Sequence, residues 1–330
     1  MTLNLFRALT ITSALAGAVC ASAQTTPAPK ATPSSDDGGW KLVFDDEFDG
    51  TTLDDTKWTK YRDCWGGGNM ERECYTGRPE NIMVHDGVLD LNARFETATG
   101  PSLLAELRTP GVEPPPATKP FTSGKISTKG KFSLTYGRVE VRAKLPTGQG
   151  VWPAIWLLPE QNLYGDWPGS GEIDVMEAVN VGVHCGDCPG GVQNNVYGTI
   201  HYGSDMHHLW QQKALQLPKH TEADWHTYRV DWYPNRIIWF LDGKEYNEIK
   251  LANWRDKLQK NASKLAPNVL NAPFDRPFYL LLNFAVGGQW PEGHDLGGVV
   301  LKDYPKSFSI DWVRIYKCPD ERMNAGGCSR

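Results

Sequence analysis

The chain has 330 residues, among them 33 glycines, 23 prolines and 13 tryptophans, and charged residues make up 22% of it. This mixture favours turns and aromatic-rich strands over long helices, so an all-β fold is expected. The formal net charge of −5 gives no basic surface for neutralising phosphates, which excludes nucleic acid as an expected partner.

The first residues have the pattern of a secretion signal. Arg7 precedes an apolar stretch over residues 8–19, and Ala21-Ser22-Ala23 is a sequence that a signal peptidase accepts. We predict a cleaved signal peptide at residues 1–23 and a mature protein that is extracellular or periplasmic, without membrane attachment. The alternatives are a membrane anchor, which is too short for about 30 Å of hydrocarbon, and lipid attachment at Cys20.

The next segment changes composition. Residues 24–39 consist largely of Thr, Pro, Ala, Ser, Asp and Gly, which cannot bury a core, and they are predicted to be a linker. Residues 40–318 are predicted to form one folded domain, and residues 319–330 a C-terminal tail.

Many short stretches beyond Trp40 alternate between apolar and polar residues, as half-buried strands do. Clear examples are residues 137–144 and 227–232. Asp86-Gly87 and Asp242-Gly243 are tight-turn dipeptides between strand formers, and each predicts a hairpin.

Helical composition occurs in one place, residues 252–264, and Pro267 ends it. No alternation of strands and helices and no fixed repeat is present. We therefore predict an all-β protein, a jelly-roll β-sandwich of two antiparallel sheets.

The cysteines outside the signal peptide are even in number, which predicts disulfides in a secreted protein. Sequence alone does not choose among the pairings, but short separations favour sequential pairs. These pairs are Cys64–Cys74, Cys185–Cys188 and Cys318–Cys328. An alternative is a zinc site at His184, Cys185 and Cys188, for which no second pair of ligands follows.

Three acidic residues lie close together in the segment Gly171–Glu177. In a regular strand Glu172 and Asp174 share a face, whereas Glu177 points to the other. A β-bulge at Val175-Met176 would bring Glu177 back to the first face. Three buried acids on one face carry a cost of desolvation and repulsion that a structural strand has little reason to bear. The alternative is the solvated polar face of an edge strand.

Aromatic residues surround this acidic segment. Trp152 and Trp156 lie upstream, Trp167 directly precedes the acids, and Gln289-Trp290 ends an apolar strand. Large aromatic faces suit the apolar faces of sugar rings. The sequence therefore predicts a concave carbohydrate cleft at the acids.

The segment Gly171-Glu-Ile-Asp-Val-Met-Glu177 resembles the bulged E-x-D-x-x-E signature of glycoside hydrolase family 16, in its laminarinase-like branch. Further landmarks of that family follow in order at residues 67–71, 75–76, 81, 136–146, 152–156, 198–201, 278–290 and 311–316. The resemblance extends over residues 40–317. It implies that residues 40–318 form the catalytic domain of a secreted endo-1,3-β-glucanase that acts by retaining double displacement.

The resemblance implies a role for each acid. Glu172 is the nucleophile, Glu177 is the general acid and then the general base, and Asp174 orients Glu172. A retaining mechanism needs its two carboxyls only about 5 to 5.5 Å apart, which neighbours on a bulged strand can reach. No cofactor is expected for catalysis.

The resemblance also implies a set of substrate-binding residues. Trp152, Trp156 and Trp167 would stack against sugar rings. The other members of the set are Asn69, Arg138, His201, Gln289 and Trp290. The residues themselves leave alternatives open, because Arg138 can pair with Glu140 or Glu47 and His201 can be a satisfied core histidine.

A structural calcium ion is a further implication of the resemblance. Its ligands would be Glu47, the carbonyl of Gly87, and Asp311. Oxygen ligands of this kind suit calcium. The ion would stabilise the fold and take no part in the chemistry.

Two loops depart from the family pattern, over residues 181–193 and 109–120, and such loops decide which polysaccharide fits a cleft. The alternatives are therefore a mixed-linkage β-1,3-1,4-glucanase, a galactan hydrolase, a transglycosylase, or a non-catalytic glucan-binding protein. The expected partner is a polysaccharide, and the expected state is a monomer.

Overall fold

The computed structural model describes residues 39–204, 206–218, 221, 223–255, 270–293 and 298–319, together with Lys30 and Cys328. Residues 1–31 and 32–330 form two separate units, and the fold given below is that of the second. The predicted signal peptide lies outside the described residues. So do the linker except Lys30 and Gly39, and the C-terminal tail except Pro319 and Cys328.

Two sheets contain most of the described chain. The larger has ten strands: β1 (Lys41–Asp46), β3 (Glu73–Tyr75), β4 (Ile82–His85), β5 (Val88–Pro101), β6 (Pro116–Ser123), β8 (Gly137–Lys144), β15 (Trp225–Tyr233), β16 (Arg236–Leu241), β17 (Lys244–Lys250) and β19 (Lys306–Lys317). The smaller has seven: β2 (Thr59–Lys60), β7 (Lys125–Ser127), β9 (Val151–Pro159), β10 (Glu172–Glu177), β13 (Asn195–Ser204), β14 (His207–Gln216) and β18 (Phe278–Val286). The remaining two form a separate ribbon: β11 (Val183–His184) and β12 (Val192–Gln193).

The order of strands places β10 near the centre of the smaller sheet. That order is β14-β13-β10-β9-β18-β7-β2, and the larger sheet runs β17-β16-β15-β8-β19-β5-β6-β3, with β1 on β19 and β4 on β5. Neighbouring strands are antiparallel except β3 and β6, which pair in parallel. The predicted all-β sandwich of two antiparallel sheets is confirmed, with this one exception.

Buried side chains of both sheets meet in one hydrophobic core. Val139 and Val141 of β8 reach it from the larger sheet, and Ile155 and Leu157 of β9 reach it from the smaller. In β8 these apolar residues alternate with half-buried polar ones, as expected of a strand with one face in the core. The other face of the smaller sheet is therefore available for a cleft.

Both predicted hairpins are confirmed. Asp86 and Gly87 join β4 to β5, and Asp242 and Gly243 join β16 to β17. The φ angles of all four residues are positive, between 48° and 75°. Asp and Gly tolerate this conformation, which gives the turn a twist that matches its strands.

The predicted helix lies only partly within the described residues. Residues 251–255 are helical, and residues 256–264 lie outside the described residues. The structure adds short helical turns that the sequence did not predict: Gln289–Glu292, Ala105–Leu107, Pro189–Gly191 and Leu301–Asp303. Within the described ranges, no helix has the length and hydropathy needed to cross a membrane.

The predicted loop over residues 109–120 is wrong in its second half, because Pro116–Ser123 form β6. This strand pairs with β5 from Pro116 to Thr122, whereas β3 pairs only with residues 121–123. Pro116 and Pro120 thus lie where no described strand pairs with the second edge of β6. A strand tolerates proline at such an edge, where the missing N–H is not needed.

The structure contains three disulfides, which are the sequential pairs predicted: Cys64–Cys74, Cys185–Cys188 and Cys318–Cys328. The first closes the loop before β3, and the second lies in the ribbon of β11 and β12. Because Cys185 and Cys188 are bonded to each other, they are not available as thiolate ligands, and the zinc alternative fails.

Candidate active site

The register of β10 contains the predicted bulge. Against β9, Asp174 pairs with Trp156 and Met176 with Ile155, which leaves Val175 as the additional residue. The apolar side chains of the strand are all buried in the core: Ile173, Val175 and Met176. The bulge thereby returns Glu177 to the face of Glu172 and Asp174.

A tryptophan from the opposite sheet supports the bulge through the core. Trp239 of β16 donates its Nε1–H to the backbone carbonyl of Asp174 at 2.7 Å. The ring lies against Gly198 of β13, where an added Cβ would come within 2.4 Å of it. The backbone at the bulge is therefore held by a buried donor as well as by its neighbouring strands.

Each glutamate accepts a hydrogen bond from an indole. Trp167 Nε1 donates to Glu172 Oε2 at 2.9 Å, and Trp152 Nε1 donates to Glu177 Oε1 at 3.1 Å. Asp174 lies between the glutamates in the strand, and its carboxylate lies within 4.8 Å of that of Glu172. Two of the predicted stacking tryptophans thus also orient the acids.

His201 lies beside the acids on β13. Its Nε2 is 3.3 Å from Asp174 Oδ2 and 3.8 Å from Glu172 Oε1, and its Nδ1 is 2.8 Å from Nε2 of His208. His201 is therefore not a histidine satisfied within the core. The ligand atoms of Glu172, Asp174 and His201 lie within 4.8 Å of one another, and among the described residues this is the group spaced to hold a metal ion.

Burial raises the pKa of all three carboxyls. For Glu172, burial and then the charge of Asp174 raise the pKa to about 8, against the lowering effect of His201. For Asp174, burial and then the charge of Glu177 raise the pKa well above its usual range. For Glu177, burial raises the pKa, while His201 and Trp152 lower it. The cluster therefore holds at least one proton at neutral pH, as a general acid requires.

The strand pairing extends the acid-bearing face across three further strands, β9, β18 and β7. Glu177 pairs with Ala154, Ala154 with Asn283, and Asn283 with Lys125. Directly paired residues project from the same face of a sheet. Asn283 and Lys125 therefore lie on the acid-bearing face, beyond Glu177.

Lys125 and Asn283 were not predicted, and both contact Trp156. Trp156 Nε1 donates to Asn283 Oδ1 at 2.7 Å, and Lys125 Nζ lies 4.9 Å from the centre of the Trp156 ring. Asn283 interrupts the apolar strand Phe278–Val286, whereas Lys125 lies in a segment that also contains serine and threonine residues. That interruption was a usable signal.

Asn69 and Gln289 meet at one side of the site. The backbone N–H of Gln289 donates to the carbonyl of Asn69 at 2.8 Å, and Asn69 Nδ2 donates to Glu71 Oε1 at 3.3 Å. The charge of Glu71 raises the pKa of Glu177, so this loop lies near the acids. Trp290 packs edge-on against Trp152, with ring centres 5.4 Å apart.

Arg138 lies outside the site, and its prediction as a substrate-binding residue is wrong. The side chain is 2% exposed and lies on the face of β8 opposite to Val139. Its Nε and Nη2 donate to the two carboxylate oxygens of Asp231 at 2.8 and 3.0 Å, and the guanidinium lies 4.7 Å from the Trp40 ring. Of the two structural partners that the sequence left open, Glu47 pairs with Arg314, and burial raises the pKa of Glu140 while Arg229 and Arg138 lower it.

The sequence model of glycosyl hydrolases family 16 matches residues 75–276. The beta-glucanase of Rhodothermus marinus is 37% identical over 291 residues, which cover 84% of this chain and 85% of that protein. The chain belongs to glycosyl hydrolase family 16. This confirms the predicted family and the predicted class of enzyme.

Other family 16 comparisons agree. Glucan endo-1,3-beta-glucosidase A1 of Niallia circulans is 40% identical over 296 residues, or 84% of this chain, and the chain spans 38% of the length of that relative. The solved laminarinase of Rhodothermus marinus superposes with a TM-score of 0.66 at 34% identity, covering 85% of this chain and 98% of that structure.

Proposed function

We propose that this family 16 chain cuts β-1,3-glucan within the polymer and retains the anomeric configuration. The observation that carries the proposal is the bulged strand β10, which gathers Glu172, Asp174 and Glu177 beside two indole donors. Substrate choice rests on relatives that are named endo-1,3-beta-glucosidases.

In the first step Glu172 attacks the anomeric carbon in its ionised form. The glycosidic bond breaks, and Glu177 gives its proton to the departing oxygen, which leaves as a free hydroxyl. In the second step Glu177 accepts a proton from water, the water oxygen attacks the anomeric carbon, and the Glu172 carboxylate departs. Two displacements at one carbon restore the original configuration.

The surroundings support these roles. Burial and the Asp174 charge raise the pKa of Glu172 to about 8, whereas the nearby His201 and the N–H of Trp167 favour its ionised form. Burial with the nearby Glu71 charge favours the protonated form of Glu177. The proposed mechanism requires the proton of the acid cluster to reside on Glu177. Asp174 lies 3.3 Å from His201, and its carboxylate is within 4.8 Å of that of Glu172. We assign it to orienting Glu172. Trp152, Trp156, Trp167 and Trp290 are proposed as sugar-contacting walls, with Asn69, His201 and Gln289 contributing polar contacts.

Three other activities are named in particular relatives. Endo-1,3-1,4-beta-glycanase EglC of Rhizobium meliloti is 28% identical, and keratan-sulfate endo-1,4-beta-galactosidase of Sphingobacterium multivorum is 32% identical. A beta-1,3-glucan-binding protein of Penaeus monodon is 28% identical. The complete set of acids in this chain argues against binding without hydrolysis.

The test is incubation of the purified protein with laminarin, lichenan, agarose and carrageenan, beside a Glu172→Gln control. Released oligosaccharides are followed by size and linkage. Internal cleavage of laminarin by the wild type alone supports the proposal. Preferred cleavage of lichenan or of a galactan assigns one of the other hydrolase activities, and retention of glucan without cleavage assigns a binding protein.

We also propose a structural calcium ion held by Glu47, the Gly87 carbonyl and Asp311. Asp46 pairs with Val313 and Leu89 with Ile310, so the register brings these three positions towards the same part of β19. Their donors are all oxygens, which fits calcium. Arg314 pairs with Glu47 and Arg142 with Asp311, so the ion would share each carboxylate with an arginine.

Secretion and a monomeric state complete the proposal. The three disulfides support an oxidising compartment. Size-exclusion chromatography of the oxidised protein tests the monomer, and detection in the medium or periplasm tests secretion.

A further inference from the structure

Two exposed tryptophans lie on the side of Glu172 that faces the sheet edge. Trp167 is 50% exposed and Trp210 is 55% exposed. Trp167 precedes β10, and Trp210 lies on β14, the edge strand of the smaller sheet. Large apolar side chains exposed side by side indicate a binding surface more often than an isolated one does.

The rings form a continuous row. The centres of Trp167 and His208 are 4.7 Å apart, and those of His208 and Trp210 are 5.5 Å apart. His208 is held in place by its 2.8 Å hydrogen bond to His201. The row is therefore anchored to a residue that contacts the catalytic acids.

The register shows that this row lies on the acid-bearing face. Glu172 pairs with His201, and His201 pairs with Trp210. Directly paired side chains share a face. A polysaccharide bound at Glu172 that continues towards the sheet edge would pass over Trp210.

The character of the row suits an uncharged ligand. Burial and the neighbouring His201 lower the pKa of His208, which favours its neutral form at neutral pH. The indole faces offer apolar area that matches the C–H faces of a sugar ring. Trp210 is also not among the half-buried residues packed on the core, so a role in holding the fold does not explain it.

We propose that Trp210, with His208 and Trp167, forms an outer binding subsite for a glucopyranose ring of the polysaccharide held at Glu172. This inference rests on the proposed function and extends it, because the subsite would select long chains over short ones.

The test compares Trp210→Ala, Trp210→Phe and Lys213→Ala with the wild type. Lys213 is exposed on the same strand and pairs with Gly198, away from the row, so its variant controls for effects on β14 itself. For Trp210→Ala we expect kcat/KM on laminarin to fall roughly three- to tenfold, the size of one lost aromatic contact. Short laminari-oligosaccharides that end before Trp210 should be cut at the wild-type rate, and Trp210→Phe should recover most of the loss.

Equal kcat/KM values for Trp210→Ala and the wild type on laminarin would overturn the subsite. An equal loss of kcat/KM on long and short substrates would also overturn the subsite, because it would indicate a structural role for Trp210. A change of oligomeric state in Trp210→Ala would overturn it as well, because the surface would then belong to a contact with a second copy of the chain.

Binding separates this inference from the proposed function. In a Glu172→Gln background, calorimetry with laminarin measures the dissociation constant with and without Trp210→Ala. A weaker constant in the double variant supports the subsite. If the wild type cuts laminarin and the two constants are equal, only the subsite fails. If the wild type cuts no glucan, the proposed function fails and the two constants still decide the subsite.

Discussion

Asp174 lies between the two glutamates and also faces His201. Its side chain is nearly fully buried, its Oδ2 is 3.3 Å from His201 Nε2, and its charge raises the pKa of Glu172. A carboxyl in this position sets both the orientation of Glu172 and the number of protons that the cluster keeps.

We predict that Asp174→Asn lowers kcat by about two orders of magnitude or more, in the range of positioned acid–base groups, with a small change in KM. The pH profile of kcat should move to lower pH, because removal of the Asp174 charge lowers the pKa of Glu172. Near-normal kcat with an unchanged profile would remove the role. An unchanged circular dichroism spectrum controls for folding.

The raised pKa of Glu172 also makes a prediction about stability. Burial raises this pKa from its ordinary value of 4.5 to about 8, so the folded state binds the proton more tightly than the unfolded chain. The contribution of Glu172 to stability is therefore fully present below about pH 4.5 and is lost as the pH rises towards about 8.

The Glu172→Gln variant does not lose stability as the pH rises in this range, because glutamine has no carboxyl group to ionise. We predict that the variant is more stable than the wild type near pH 8, by on the order of a few kcal/mol, because one pKa unit corresponds to about 1.4 kcal/mol. The difference should shrink as the pH falls to about 4.5. Urea unfolding at several pH values measures it, and a difference that does not change with pH would contradict the account.

Among the residues of the site, the sequence predicted the three acids but missed their polar neighbours Lys125 and Asn283. Glu172, Asp174 and Glu177 are close in the chain, so the alternation of side chains along one bulged strand is enough to place them on the same face. Lys125 reaches the acid-bearing face only through the pairing of β9, β18 and β7, which the sequence does not specify. Arg138 was misplaced because a family landmark did not show which face of β8 it occupies.

The bulge in β10 is the element on which the site depends. Its position followed from the spacing of acidic and apolar residues, since only an additional residue puts Glu177 on the acid face while Val175 and Met176 stay in the core. The support from Trp239 could not be predicted, because this tryptophan is distant in sequence and acts across the sandwich.

We predict that Trp239→Phe lowers kcat severalfold and lowers stability by about 1–3 kcal/mol, because it leaves the buried Asp174 carbonyl without this donor. Trp232→Phe is the matched control. Trp232 is equally buried in the same core, and its ring N–H has no partner among the described residues. Kinetics and urea unfolding of both variants give the comparison, and equal effects would show that the bond does not position the bulge.

The prediction of other elements was limited because a sequence does not show which strands pair with one another. The turns at Asp86-Gly87 and Asp242-Gly243 carry their own backbone preference and were predicted correctly. The strand β6 was missed because prolines usually argue against a strand. Only the absence of a described second neighbour beside Pro116 and Pro120 makes them acceptable there.

For the whole molecule, the proposed calcium ion makes a prediction about thermal stability. A ligand that binds only the folded state raises the melting temperature by mass action. We expect chelation to lower the melting temperature of the wild type by a few degrees, roughly the effect of 1 kcal/mol, with little change in kcat. Glu47→Gln should melt at the same temperature with and without chelator. An unchanged melt of the wild type in chelator would count against the ion.

The fold and the reaction class were predictable from the sequence because many landmarks recur in order over one domain. The β-1,3-glucan substrate was predicted from the family resemblance alone, since the loops over residues 109–120 and 181–193 depart from the family pattern and their residues do not show which polysaccharide fits. The contact of Trp210 with His208 likewise depends on strand pairing that the sequence does not show.

In the proposed mechanism Glu172 attacks the anomeric carbon and Glu177 transfers the proton. Azide rescue with an activated aryl β-laminari-oligosaccharide tests these two roles most directly. The configuration of the product is determined by NMR. In Glu172→Ala, azide should enter the space of the missing nucleophile and give the α-glycosyl azide. In Glu177→Ala, it should attack the glycosyl enzyme and give the β-glycosyl azide. The reverse pattern, or rescue of neither variant with activity retained in both, would contradict the assignment.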